Sequence, residues 1–459
     1  MKHAIDLKNG DAAFPGYPSA VSAAGLLFFS GVRPLQAGTS PLTFDDLPPE
    51  AQIGRQGFRL AEEQEEEVVV DAWSAHDVMD RVLAAVGAKP EHMLRTRIWQ
   101  HDKRFYPAYE RVRMVRQPKP SASSGHSVSG LVGRGGRAIG LDGIAIAVND
   151  AGASASRTAV GTATGTAEAG KSLTFFSVAA RHGPYGFLAG HIPVKQEPGY
   201  PCVQSFDDVP PEGRRFATNR SHADSRDGPI AAQTWFIYNR MQESLEKIGA
   251  QMTDVVHCLV GLEDLRDLPM FHRVHHDTFG DIGPALTILG AGEVGHRGSR
   301  VVIEPTVYVA EAGGGRCDWP GKAPLSAPMA RRAGALLFLS GMLGIDADGR
   351  HVYDPDRAPA AAGACLRAIA PWASRPDLPA QCWQAWSNLK VALERCDSSL
   401  DRLVKLTVFL ADPADWPVFE AVRSEFITNG LPAIECVAVP NPGPSFHSAI
   451  QIDAVALAG

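Results

Sequence analysis

"PAQCWQAWSNLKVALERC" at Pro379–Cys396, followed by "LVKLTVFLAD" at Leu403–Asp412 and "SAIQIDAVALAG" at Ser448–Gly459, decides how this chain is read. Cys382, Trp386, Leu389 and Leu393 recur at helical spacing and form a stripe wide enough to cover one face of a sheet. Val404, Leu406, Val408 and Leu410 then alternate as a half-buried strand does, and a second alternating strand closes the block. The same order recurs at Ala72–Trp99 and Ala231–Val260. In each copy a tryptophan (Trp73, Trp235, Trp383) stands fourteen residues before a turn position (Gly87, Gly249, Asp397). A Pro-started helix follows each strand, at "FYPAYERV" (Phe105), "LPMFHRV" (Leu268) and "WPVFEAV" (Trp416). Each copy also begins with a hydrophobic strand running into a glycine: Gly31, Gly190 and Gly341. Three copies of one unit are therefore predicted, at 1–148, 173–312 and 324–459. The segment 149–172, rich in Gly, Ala and Thr, reads as a flexible linker, and 313–323 reads as a second one.

A strand ending in Ser-Gly, the helix and strand quoted above, an "F..V...F" helix, then "PA..CV" and a final "I.I.A.A" strand together resemble the Rid (YjgF-type) family. The third copy matches over its whole length, the second less well and the first least. The resemblance implies an α+β fold of the chorismate-mutase-like kind. Family members are usually homotrimers whose inter-subunit clefts handle imines or enamines, so this chain resembles a trimer written as one polypeptide. Strands such as "GLLFFSG" and "ALLFLSG" are apolar on both faces. Packing three sheets around an axis would bury the second faces, which predicts an intramolecular pseudo-trimer with a barrel-like β core and outer helices. Any larger assembly would then pair whole chains.

The chain has 459 residues, too many for one ordinary core, and a formal net charge of −7 without a long basic run. That balance excludes an electrostatic footprint for nucleic acid, although family members have been called endoribonucleases. No segment suits a membrane helix or a signal core, and a cytoplasmic location is expected. Seven scattered cysteines without C-x-x-C spacing suggest reduced thiols rather than disulfides or zinc. The acidic run Glu62–Glu67 reads as a solvated helix start, and "HRVHHDTF" at His272–Phe279 as surface histidines rather than a metal site. No metal or organic cofactor is called for.

In the family's enamine and imine deaminases, an arginine in a "P-A-R-S-x-V" segment grips the substrate carboxylate. Ala122, Leu286 and Ile434 are the residues aligned with it here, and the strand glutamate is replaced by Gly140, Val302 and Gln451. A second acidic position survives as Asp142, Glu304 and Asp453, and the family cysteine only as Cys436. Backbone N–H groups at Gly31, Gly190 and Gly341 remain candidates for holding a ligand. Beside them stand Arg33, a candidate anion clamp; His191, a candidate acid/base; and Met342. Ser124 and His126 in "SASSGHSVSG" join the candidate substrate-binding residues with Gln451, and Glu435 and Cys436 join His191 as candidate catalytic residues. The reading is a cofactor-independent hydrolase or deaminase of a small imine, enamine or cyclic amide, working at inter-unit clefts without the usual 2-iminoacid deaminase arginine. The alternative is a non-catalytic small-molecule binding or regulatory protein on the same scaffold.

Overall fold

The computed structural model describes residues 1–7, 12–34, 43–52, 59–134, 138–148, 157–160, 176–310, 315–320, 323–354 and 360–459. The first unit comprises β1 (Lys2–Ile5), β2 (Ala20–Ala23), β3 (Leu26–Phe29), α1 (Arg59–Ala85), β4 (Met93–Gln100), α2 (Tyr106–Arg116), β5 (Ala122–Ser127), β6 (Gly130–Leu131) and β7 (Ile139–Ile146). The second comprises β8 (Thr158–Val160), β9 (Ala179–His182), β10 (Tyr185–Leu188), α3 (Ser221–Glu246), β11 (Val255–Leu262), α4 (Leu268–Phe279), β12 (Ala285–Gly290) and β13 (Val301–Tyr308). The third comprises β14 (Arg316–Cys317), β15 (Ala330–Ala333), β16 (Leu336–Leu339), β17 (Met342–Leu343), α5 (Ala360–Ile369), α6 (Leu378–Arg395), β18 (Leu403–Leu410), α7 (Trp416–Phe426), β19 (Ala433–Ala438) and β20 (Ile450–Leu457).

Each unit carries one mixed sheet built the same way. Its central strand (β4, β11, β18) pairs parallel with the strand after the second helix and antiparallel with the last long strand. The turn positions Gly87, Gly249 and Asp397 all have positive φ, of 68°, 67° and 55°, where the chain leaves the first helix for that central strand. The insertions "FDDLPPE" and "FDDVPPE" are short 3₁₀ turns in which Asp46 and Asp208 accept from the Thr43 and Ser205 backbone N–H groups. Their phenylalanines, Phe44 and Phe206, are buried in the unit cores. The Phe206 ring lies against Gly228, where a Cβ would approach it to 3.2 Å, and α3 runs on through Pro229. In the third unit, prolines at 371, 376 and 379 split the corresponding helical stretch into α5 and α6.

Two expectations are corrected. Within the segment read as a flexible linker, Thr158–Val160 forms β8 and pairs with β9, in the place that β1 and β14 hold on the other two sheets; 149–156 and 161–175 lie outside the described residues. The sheets also do not close into one barrel. Among the described residues they form three separate ladders. The junctions are made instead by single bridges, Ala122↔Ser177 and Gly290↔Asn441, and by the two-residue β6 laid on β19.

The second face of every sheet is nevertheless buried. Val21 and Phe28, Phe187 and Val256, and Phe338 and Val404, two from each unit, belong to one shared apolar cluster, which explains why β18 is buried on both faces. Beside this cluster runs a cycle of charged contacts. Arg95 on β4 meets Glu304 on β13 at 2.9 Å, His257 on β11 meets Asp453 on β20 at 3.1 Å, and Lys405 on β18 meets Asp142 on β7 at 3.1 Å. Arg95, His257 and Lys405 share one register position, and the three acids share another. Every contact therefore runs from one unit to the next, around a cavity of about 30 Å³ that has room for a water or two.

Removing one member of such a contact strands its partner. Lys405→Met leaves the buried Asp142 carboxylate without its cation and is expected to destabilise the chain by about 3–5 kcal/mol. The double change Lys405→Met/Asp142→Leu removes both charges and should recover most of that loss in urea unfolding. A double variant no more stable than the single one would show that the contact does not organise the junction.

Candidate functional site

The three glycines that end the first hydrophobic strands lie at the three junctions and make one repeated contact. Gly31 N–H donates to Ile434 O (2.7 Å), Gly190 N–H to Ser123 O (3.2 Å) and Gly341 N–H to Leu286 O (3.2 Å). The backbone donors that the sequence offers to a ligand are thus spent on the neighbouring unit. This register puts Ser123, not Ala122, in line with Leu286 and Ile434, one residue along from the sequence alignment. It also puts His191 in line with Val32 and Met342, so Arg33 is one residue further on, in line with Ile192 and Leu343.

At the third–first junction the structure brings together Arg33, Glu435 and Cys436. Arg33, fully buried, forks onto both oxygens of the equally buried Glu435, and its remaining donors reach Val132 O (3.0 Å), Val32 O (3.3 Å) and Cys436 O (3.2 Å). The proposed clamp and the proposed base therefore neutralise each other. Burial pushes the Glu435 carboxyl upward, and the Arg33 guanidinium counters it. Burial likewise pushes the Cys436 thiol well above its ordinary range, with the Glu435 charge adding to it, so its nucleophilic thiolate is suppressed.

The second–third junction is closed by ordinary side chains. Gln451, in the amide orientation that satisfies both its ends, donates to Pro442 O (3.1 Å) and Ile288 O (3.0 Å). Ser340 Oγ accepts from Leu286 N–H (2.8 Å) and donates to Pro328 O (2.7 Å). The cavity left between Leu286, Trp319, Gly341 and Gln451 is about 10 Å³, too small for a metabolite.

The first–second junction is different. Ser124 and His126 lie two apart on β5 and so share a face. Ser124 Oγ stands 3.4 Å from where a Gly190 Cβ would be, and it is buried with no hydrogen-bond partner. His126 stacks on Trp99 and places Nε2 3.3 Å from Glu304, while its Nδ1 is buried and unpartnered. Burial lowers the His126 pKa and Glu304 pulls it part of the way back. Burial also opposes ionisation of Glu304, but Arg95 and Arg97, the latter at 2.6 Å, override it and hold the carboxyl well below the usual carboxylate range. On the opposite face of β5, Arg113 from α2 donates to Ser123 Oγ at 2.5 Å, so a guanidinium reaches the strand position where the family arginine would stand. Lys103 donates to Gly125 O, and burial pushes its ammonium down to about 7. Beside it the Gln100 amide has neither of its ends partnered.

His191 is not part of this group. Its ring bonds Ala189 O (2.8 Å) and Ser244 Oγ (3.1 Å), inside its own unit, and burial lowers its pKa to about 4. Of the three helical histidines, His272 and His276 hold Ser326, while His275 is buried against Tyr238 rather than on the surface. Among the described residues no three His, Cys, Asp or Glu side chains converge as a metal site, and no helix is long and apolar enough to cross a membrane. Sequence reasoning missed Lys103, Arg113 and the role of Glu304, because their meeting depends on a helix and on a strand of another unit.

Residues 321–458 match the family model described as Endoribonuclease L-PSP. The third unit belongs to this family, the Rid or YjgF family. Among curated relatives, Protein HMF1 of Saccharomyces cerevisiae is 43% identical over 56 residues, covering 12% of this chain and 43% of that protein. A RutC family protein of Pyrococcus abyssi is 29% identical over 139 residues, 30% of this chain and 88% of the relative. The chain thus spans less than half the length of the yeast protein it matches. A solved structure from Klebsiella pneumoniae, described as an endoribonuclease, is 28% identical, covers 29% of this chain and 100% of its own, and gives a TM-score of 0.27.

The buried neutral histidines set a pH dependence. His191 titrates at about 4 and His275 at about 3 in the folded chain, both below the unfolded value of about 6.5. The unfolded chain binds more protons between those limits, so stability is complete above pH ~6.5 and falls as pH drops toward the folded values. The urea midpoint should decline steadily from pH 7 to pH 4, less steeply in His275→Gln. A flat midpoint over that range would contradict the assignment.

Proposed function

We propose that the chain is a cofactor-independent C–N hydrolase, of the deaminase kind, working at the first–second junction. The observation that carries this reading is the contrast in polar satisfaction. Ser124 Oγ and His126 Nδ1 are buried without partners at this junction, whereas Arg33 and Gln451 at the other two are fully engaged. Buried polar groups are seldom left unsatisfied without a reason, and a polar ligand or its water supplies one. In this reading neutral His126, steadied by Glu304, takes a proton from the attacking water, and the Lys103 ammonium returns one to the departing nitrogen near neutral pH. Product is ammonia or an amine, and the substrate class is a small imine, enamine or cyclic amide.

The cyclic contacts support a companion reading in which one chain supplies all three subunits of a Rid trimer, with any larger assembly made of whole chains. Light scattering should give one chain or an even multiple of it; an obligate trimer of chains would count against this reading.

The catalytic proposal is tested by ammonia release from freshly generated imines and by ring opening of a panel of cyclic amides. His126→Gln and Lys103→Met should each lower turnover by about 10²-fold or more. The basic limb of the pH profile should move when Lys103 is changed. Turnover indifferent to both changes would remove this junction from the chemistry. Tight, saturable binding of the same compounds without turnover would favour the non-catalytic reading.

A further inference from the structure

Three register positions at the third–first junction differ together from their counterparts. Arg33 is in line with Ile192 and Leu343, Glu435 with Ser124 and Thr287, and Gly140 with Val302 and Gln451. Geometry explains why they go together. A Cβ on Gly140 would come within 2.4 Å of Arg33 Nη1, and one on Gly31 within 2.4 Å of Glu435 Oε2. Gly140, where the other units carry Val302 and Gln451, leaves room for the guanidinium, and Gly31, matched by Gly190 and Gly341, leaves room for the carboxylate. The Arg33 guanidinium points all its donors at the pocket wall and at one carboxylate: Nε to Val132 O, Nη1 to Val32 O and Glu435, Nη2 to Glu435 and Cys436 O. The carboxylate also accepts the Cys436 N–H at 2.9 Å. A planar two-point guanidinium contact plus one backbone donor, fully buried, is how a protein binds a carboxylate ligand.

We propose that this junction is a carboxylate-binding site whose ligand is the chain's own Glu435 side chain, and that a free small monocarboxylate takes its place when that side chain is removed. The junction is consequently closed to acidic metabolites in the native chain, and the carboxylate bridges β19 of the third unit to the loop after β3 of the first.

The test uses the full chain with Glu435→Ala, Glu435→Gln and Glu435→Ala/Arg33→Met, and sodium formate and acetate as probes against sodium chloride at equal ionic strength. Glu435→Ala should melt well below the wild type. Formate should return most of that loss, saturating on the order of millimolar concentration, by mass action on the folded state. The wild type, the isosteric and uncharged Glu435→Gln, and the double variant should respond no more to formate than to chloride. Glu435→Ala that ignores formate overturns the proposal, as does an equal response in the double variant. A Glu435→Ala chain that will not fold even in saturating formate counts against it equally, because a built carboxylate site accepts a free carboxylate.

Discussion

The cycle Arg95–Glu304, His257–Asp453, Lys405–Asp142 is the constraint on which the rest of the architecture depends. Each contact joins a central strand of one unit to the last strand of the next, so no unit can satisfy its own charges. Burying such groups is unfavourable unless each meets its partner in good geometry, and a misplaced unit would leave two of them stranded at once. The apolar cluster formed by Phe28, Phe187, Phe338 and their neighbours supplies the attraction between the sheets. Being non-directional, it cannot by itself choose which unit meets which. The cycle can, because the side chains that meet the three acids differ in shape and reach: a forked guanidinium, an imidazole and a lysine amine.

Given that cycle, the backbone contacts of the junctions repeat almost without change. The glycine N–H donates to the neighbouring strand three times, and where a serine precedes the glycine, at Ser30 and Ser340, its hydroxyl accepts the N–H of the same residue whose carbonyl the glycine bonds. Against this constant frame the side chains have diverged into three different states. One junction is locked by Arg33 and Glu435, one is filled by Gln451 and apolar neighbours, and one keeps Ser124 and His126 incompletely bonded. A single chain permits this, since a change in one unit is not copied to the other two as it would be in a homotrimer.

Local patterning made much of the fold legible. The helical stripe of Cys382, Trp386, Leu389 and Leu393, the alternation of Val404 to Leu410, and the turn positions Gly87, Gly249 and Asp397 are properties of a few consecutive residues, and the structure keeps them. Thr158–Val160 was not legible, because a three-residue edge strand has too few side chains to show a period and owes its form to pairing with β9.

The sequence by itself determined that one strand-and-helix pattern recurs three times, that such a pattern needs a sheet covered by helices, and that an acid recurs near the end of each copy. These follow from spacing along the chain, where the physics of hydrogen-bond period and burial acts between near neighbours. Only the tertiary structure decided which charges meet. Arg33 and Glu435 are 402 residues apart in sequence yet saturate each other, His191 turns into its own unit, and Glu304 crosses a junction to steady His126. A side chain's chemistry depends on its desolvation and on the charges within a few ångströms of it, and in this fold most of those belong to a different unit.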